Sequence, residues 1–279
     1  MKVPAIRLEA VSYVYQPDEV QALDAVSLRI ESGERVALIG QNGSGKTTLA
    51  RHLDGLLRPT SGRVFIGETD AAARTVAQLA KLVGLVFQDP ARQIFAGSVQ
   101  AEVEFGPRNV GLRGVELREA VDEALAVVGL SDQARTNPYD LGESRRKLLA
   151  LAAVLAMRTP VLVLDEPTTG QDLAGTTLVR DVIGAVAAEG RTVIAISHDM
   201  EFVADAFERV VVMRAGRVID DGPPARVFDR PAWDALRSTN LEPPLAARVG
   251  ARLRVQSTPT HAALIAAVAA GLLPAEARQ

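Results

Sequence analysis

The residues best able to do chemistry lie in one short stretch, GQNGSGKT at 40–47, which fits the pattern G-x-x-x-x-G-K-[ST]. Gly43 and Gly45 let the backbone bend around phosphate oxygens with its N–H groups turned inward. A helix opening directly after the loop adds partial positive charge at its start. Lys46 is long enough to reach the outer phosphates of a nucleoside triphosphate, and the Thr47 hydroxyl can hold Mg²⁺. Gly40, Gln41, Asn42, Ser44 and Thr48 complete the expected cradle. The bland alternative, a glycine-rich turn, fits the context less well: an apolar run, RVALIG, leads in, and a helical pattern leads out.

A second constellation lies downstream. VLVLDE at 161–166 is four apolar residues followed by two acids. A buried parallel strand delivers its last residues to a ligand crevice. Asp165 there would bind Mg²⁺, directly or through water, and Glu166 would polarise an attacking water as general base. Alone, the pair fits a solvated strand end equally well; the phosphate loop upstream tips the reading towards chemistry.

These groups need a scaffold, and the pattern supplies one. IRLEAVSYVY (6–15) and ALDAVSLRI (22–30) read as strands separated by a turn at Gln16-Pro17-Asp18. Further strands are expected at 35–40, 63–68, 83–88, 161–166 and 192–197, with a hairpin over 209–220 turning at Ala215-Gly216. Helices are expected over 46–57, closed by Pro59, and over 116–128 and 174–189. Strands alternating with helices imply a parallel sheet covered on both faces. The stretch 98–157 reads as a helical insert, and 223–279, interrupted by prolines, as a small helical extension of a domain spanning 1–222.

Composition narrows the function. Lys plus Arg total 31 and Asp plus Glu 34, a net charge of −3, which argues against a strongly basic nucleic-acid binder. Without cysteine there are no disulfides, zinc fingers or thiol catalysis. Three histidines, at 52, 198 and 261, disfavour a histidine-rich metal site. The longest apolar runs, Leu148–Met157 and Ala262–Leu273, fall short of the roughly 18 residues of a membrane span. The start, MKVPAIRLEA, lacks the pattern of a signal peptide, so a cytosolic chain is expected.

With these residues in place, the chain resembles the ATPase subunit of ATP-binding-cassette (ABC) transporters over roughly residues 4–222. GQNGSGKT matches that family's Walker A motif and VLVLDE its Walker B. The resemblance implies an α/β P-loop NTPase fold: a RecA-like core with an antiparallel β subdomain, a helical insert and here a small helical C-terminal extension. It implies ATP and Mg²⁺ as ligands. Gln88, in LVFQDP, stands where the family has the glutamine that senses the γ-phosphate and Mg²⁺ and relays to the membrane partner. His198, in VIAISHD, resembles the switch histidine, and Asp172, in TTGQD, the aspartate that crosses the dimer interface. Asp172 also suits a simple helix cap. Tyr15 occupies the place of the aromatic that stacks on adenine, with Tyr13 as the fallback and core packing as the plain alternative.

A subfamily resemblance rests on QDPARQIFAGSVQAEVEFGPRNVGL (88–112), similar to the segment after the same glutamine in energy-coupling-factor (ECF) ATPases. LEPPLAARVGARL (241–253) resembles their C-terminal extension. That likeness implies uptake of a vitamin or transition-metal ion. It implies a second cassette, identical or different, an integral-membrane scaffold and a substrate-binding membrane subunit, and no nucleic acid. The chain would sit peripherally on the cytoplasmic face of the membrane, gripping scaffold helices in a groove near Gln88 to Phe105. Soluble relatives in DNA repair or translation usually carry long coiled coils or two cassettes, and a GTPase would need an N-K-x-D motif; neither pattern occurs here.

One motif departs from the family. Its signature is L-S-G-G-Q at a helix start. Ungapped counting from Asp165 puts LGESR here, Leu141-Gly142-Glu143-Ser144-Arg145, retaining the leucine alone. A two-residue gap would instead set Gly142-Glu143 against Gly-Gln. Glu143 beside a triphosphate would repel it unless turned away or offset by Arg145 and Arg146; alternatively it caps its own helix and faces solvent. The site this chain completes for a partner is then expected to be weak.

Overall fold

The computed structural model describes residues 3–17 and 19–270. Asp18, the last residue of the expected turn, and residues 271–279, the end of the expected extension and of its apolar run, lie outside the described residues.

Two sheets carry the fold. One is antiparallel, in the order β2-β1-β4-β5, with β1 Ile6–Tyr15, β2 Val20–Ile30, β4 Ser61–Ile66 and β5 Thr69–Asp70. The other has six strands in the order β10-β9-β3-β8-β7-β6. It comprises β3 Arg35–Ile39, β6 Val83–Val86, β7 Val161–Asp165, β8 Thr192–Ile196, β9 Arg209–Arg214 and β10 Arg217–Gly222. All neighbours pair in parallel except β9 and β10, the expected hairpin.

The short apolar strands are explained by two cores. Ala37, Ile39, Leu162, Leu164, Val193, Ala195, Val210 and Val212 face a core shared with the helices. Their neighbours Val36, Leu38, Val161, Val163, Ile194, Ile196, Val211 and Met213 face a core shared with the antiparallel sheet. Side chains of a strand alternate between faces, so a strand buried on both must be apolar throughout.

The helices complete the layers. Helix α1 spans Lys46–Leu53 and α2 Val76–Leu79. The insert holds α3 Val99–Val110, α4 Gly114–Val127 and α5 Glu143–Leu155, packed on one another. Then come α6 Leu173–Ala188 and α7 Met200–Ala206, followed by α8 Pro224–Val227, α9 Trp233–Arg237, α10 Leu245–Arg252 and α11 His261–Ala269. Val227, Phe228, Leu236 and Ala247 join the helical core, so the C-terminal helices are seated on the body of the fold. No helix among the described residues is long and apolar enough to cross a membrane.

Helix α1 is shorter than the expected 46–57. Asp54 ends it: its Oδ1 accepts from the Leu56 N–H at 2.9 Å, and Gly55 takes φ +78°. A local side-chain turn thus wins over continued helix four residues before Pro59.

Candidate active site

Four parallel strands, β3, β8, β7 and β6, stand side by side and end along one edge. Neighbouring strands lie about 4.8 Å apart, so whatever follows each end is brought together. After β3 comes the phosphate loop, after β8 His198, at the end of β7 Asp165 and Glu166, and after β6 Gln88. Residues 158 positions apart in the chain, Gly40 and His198, therefore share one cleft.

The loop's shape depends on glycine where it touches its support. Gly40 has φ +147° and Gly45 φ +102°, and a Cβ on either would run into a backbone carbonyl, of Met213 or of Ala22 respectively. The turn of the β9–β10 hairpin braces the loop: the Gly216 N–H donates to the Ser44 carbonyl at 3.1 Å.

Lys46 is buried, and its ammonium donates to the carbonyls of Gly40 at 2.6 Å and Gln41 at 2.9 Å and to Ser44 Oγ at 3.3 Å. Burial lowers its pKa from the ordinary lysine value, while Glu166 and Asp165 pull it back up. The Thr47 hydroxyl donates to Asp165 Oδ2 at 3.0 Å. Asp165 Oδ1 is buried without a hydrogen-bond partner, and burial raises that carboxyl's pKa against the lowering effect of the Thr47 bond. A carboxylate oxygen left over beside a hydroxyl is a hard oxygen donor set of the kind Mg²⁺ takes. Glu166 sits in the left-handed region at φ +53°, with its N–H donating to the Ile196 carbonyl at 2.9 Å. That conformation turns its side chain to His198, whose Nδ1 lies 2.7 Å from Glu166 Oε2.

Two adjoining clefts result. One, of about 250 Å³, is lined by Tyr15, Asn42, Gly43, Gly45, Lys46, Thr47, Thr48, Gln88, Asp165 and Glu166. The other, of about 820 Å³, is lined by Gly40, Gln41, Asn42, Gln88, Glu166 and His198. Ser44, within the loop, is fully buried. Tyr15 reaches the first cleft, its hydroxyl 3.2 Å from Thr48 Oγ1, whereas Tyr13 packs edge-on against buried His52. Of the two tyrosines, Tyr15 is the one that lines a cleft.

Leu141, Gly142, Glu143, Ser144, Arg145 and Asp172 line neither cleft. Gly142 is the N-cap of α5 with no side-chain cap, so Glu143 does not form the expected cap; it lies exposed in the first turn. Ser144 Oγ donates to Gln171 Oε1 at 2.7 Å, and Gln171 Nε2 returns a bond to the Ser144 carbonyl at 3.1 Å. Asp172 does cap α6, accepting from the Gly175 N–H at 2.8 Å.

Sequence reasoning missed the far wall of the larger cleft. Residues 239–243 and Arg248 line it, and Asn240 Nδ2 donates to Gln41 Oε1 at 2.8 Å. Across the groove between sheet and insert, Phe95 and Phe105 meet edge to face at 4.7 Å and are 60% and 50% exposed, in an apolar trough of about 710 Å³. Buried Glu102 holds the trough's loop by accepting from the N–H groups of Phe95 at 2.9 Å and Ala96 at 2.7 Å.

Residues 23–169 match the family model described as ABC transporter. The chain belongs to the ABC transporter family. This ATP-binding cassette is 41% identical over 244 residues to a Rhodobacter capsulatus protein named as a cobalt import ATP-binding protein, covering 87% of this chain and 86% of that one. It is 42% identical over 255 residues to an ECF transporter ATP-binding protein of Symbiobacterium thermophilum, covering 89% and 88%. A putative ABC transporter ATP-binding protein of Methanosarcina acetivorans is 42% identical over 90% of the cassette, which spans only 40% of that relative's length. Among solved structures, a component of a Clostridium perfringens ABC transporter complex aligns at TM-score 0.74 and 33% identity over 91% of this chain and 99% of its own. An ATP-binding cassette solved as a dimer with ADP and Pi aligns at TM-score 0.72 and 26% identity over 78% and 98%. The cassette is thus an ABC ATPase fold with relatives of the ECF type.

Proposed function

We propose that this cassette hydrolyses ATP to drive an ECF-type importer of a vitamin or transition-metal ion. The carrying observation is the convergence of Lys46, the Thr47–Asp165 pair and the Glu166–His198 pair on one sheet edge. Residues 1–222 are assigned to the cassette, with the helical subdomain at about 98–157, and 223–279 to a C-terminal extension that is helical in its described residues.

Lys46 exchanges its loop carbonyls for the outer phosphate oxygens. Tyr15 stacks on the adenine, and the loop N–H groups from Gly43 to Thr48 hold the phosphate chain. Thr47, Asp165 and Gln88 would hold Mg²⁺, which when bound supplies charge neutralisation between the outer phosphates. Glu166 takes the proton of the attacking water, and His198 fixes the Glu166 carboxylate and touches the γ-phosphate.

A second cassette docks head to tail: the signature-like turn lines neither of the chain's own clefts, which suits it to a neighbour's ATP. ATP bound between two chains favours the closed pair, since only that state lets it touch both. The Phe95–Phe105 trough takes a helix of the membrane scaffold, which places the chain peripherally on the cytoplasmic side. Gly142 and Glu143 make the site completed for the partner the weaker one.

The test is Mg²⁺-dependent ATP turnover of the purified chain and of its complex with neighbouring membrane subunits, with Glu166→Gln in parallel. Turnover with the variant trapped as an ATP-bound dimer supports the reading. A chain without turnover in either setting, or a variant monomeric in saturating ATP and Mg²⁺, overturns it.

A further inference from the structure

The start of α5 is tied to the loop that carries Glu166, and we propose that Ser144 and Gln171 are positioning residues for the Glu166 carboxylate of their own chain. Their role there rests on the hydrolysis proposed above. The loop between β7 and α6 is two overlapping turns: the Thr169 N–H donates to the Glu166 carbonyl at 3.3 Å and the Gln171 N–H to the Thr168 carbonyl at 3.0 Å. Its ends are fixed, by the Glu166 N–H on the Ile196 carbonyl of β8 and by Asp172 capping α6. The carboxylate between them is held more lightly. His198 Nδ1 lies 2.7 Å from Glu166 Oε2, and the Thr169 hydroxyl donates to the same oxygen at 3.4 Å. A bond that long is close to being lost, so the place of Thr169 decides whether it is made.

Helix α5 sets that place. Lys147 Nζ donates to the Thr169 carbonyl at 2.5 Å. One turn earlier, Ser144 Oγ donates to Gln171 Oε1 at 2.7 Å and Gln171 Nε2 donates to the Ser144 carbonyl at 3.1 Å. Both polar ends of one amide are spent on one residue, which fixes the amide's orientation. Gly175, in the first turn of α6, leaves room for it: a Cβ there would stand 2.2 Å from Gln171 Oε1. Glycine is a poor helix former, so its place here suits the amide rather than the helix.

The rival role for Ser144 is a contact with a neighbour's ATP, as its place in the signature-like turn would suggest. The two roles compete for one atom. A serine hydroxyl has a single hydrogen to donate, and here it is engaged with Gln171 Oε1. A phosphate oxygen would need that same hydrogen. Ser144 therefore acts within its chain, through the loop, on the carboxylate that takes the proton of the attacking water.

Carbon-13 NMR of the histidine rings in the full-length chain without nucleotide reads this directly. With no ATP present, a change at Ser144 can reach His198 only through the protein itself. The histidines are at 52, 198 and 261, and His198→Gln assigns the relevant signal. Ser144→Ala, Gln171→Ala and Gly175→Ala should each move the His198 signal and leave those of His52 and His261 in place. Ser144→Ala combined with Gln171→Ala should move it no further than either change alone. Ser144→Thr keeps the hydroxyl and should keep the native signal. In turnover with Mg²⁺ and ATP, the three alanine variants should lower kcat about tenfold, with the KM for ATP changed less than about twofold. An unmoved His198 signal in Ser144→Ala and Gln171→Ala overturns the proposal. So does a joint movement of all three histidines, or a raised KM at native kcat. An unmodified chain without turnover overturns the hydrolysis reading instead, and the His198 signal then decides the positioning alone.

Discussion

The strand-end edge and the start of α5 are both polar surfaces, yet they are built differently. Along the edge, each key side chain already has a partner within its own chain: Lys46 on loop carbonyls, Thr47 on Asp165, Glu166 on His198. At the start of α5 the helix lacks a side-chain cap, and Glu143 and Arg145 are exposed. Ser144 and Lys147 tie that turn only to the loop at 169–171. Parallel strands preorganise the first surface, whereas the second is steered by a loop and, on the proposed function, completed by a neighbour.

The largest effect expected is at the edge. Glu166→Gln should cut turnover by about 10²–10⁴ with ATP binding retained, measured as phosphate release beside nucleotide affinity. Equal loss of both would mean that Glu166 shapes the loop rather than the chemistry. Lys46→Ala should cost about 10²–10³ in turnover and also weaken ATP binding, because on the proposed function its charge meets the phosphates in both the bound and the reacting state.

At the far end of the helix opened by the phosphate loop, Asp54 is buried, and its carboxyl pKa is pushed up to about 6. The native chain therefore keeps this proton over a range where the unfolded chain has lost it. Stability contributed there falls as pH rises from about 4 to about 6 and stays low above. Asp54→Asn keeps an acceptor for Leu56 and should raise stability at pH 7.5 by about 1–3 kcal/mol, with the slope in that window flattened in urea melts.

The opposite surface should respond in the opposite sense. Gly142→Ser with Glu143→Gly restores the family pattern at those two positions, and turnover of a pure homodimer should rise about tenfold if Glu143 repels the neighbour's triphosphate. An unchanged rate would erase the contrast between the surfaces. The smallest change is expected for Asn240→Ala, which removes one bond to Gln41 and should raise the KM for ATP up to about fivefold, near 1 kcal/mol.

The edge was legible because each of its parts is contiguous: GQNGSGKT, VLVLDE and SHD each carry their own strand and turn. The division of strand residues between two cores was not, since every position in VLVL is apolar and both faces read alike. Tyr15 is preferred to Tyr13 from the sequence already, but that Tyr13 packs on His52 is visible only in the fold. Gln171 lay inside TTGQD, but its pairing with Ser144 depends on two loops meeting in space. Asn240 follows no motif and lies 199 positions from Gln41.

That last separation also sets an order of events at the ribosome. The phosphate loop emerges early, and its partner on the far wall must wait for another 199 residues. At about 5–20 residues per second, the delay is about 10–40 s. Yet β3 lies between β8 and β9, and Gly216 braces the loop, so the cradle itself is complete only once that hairpin has emerged, shortly before the tail closes the rim.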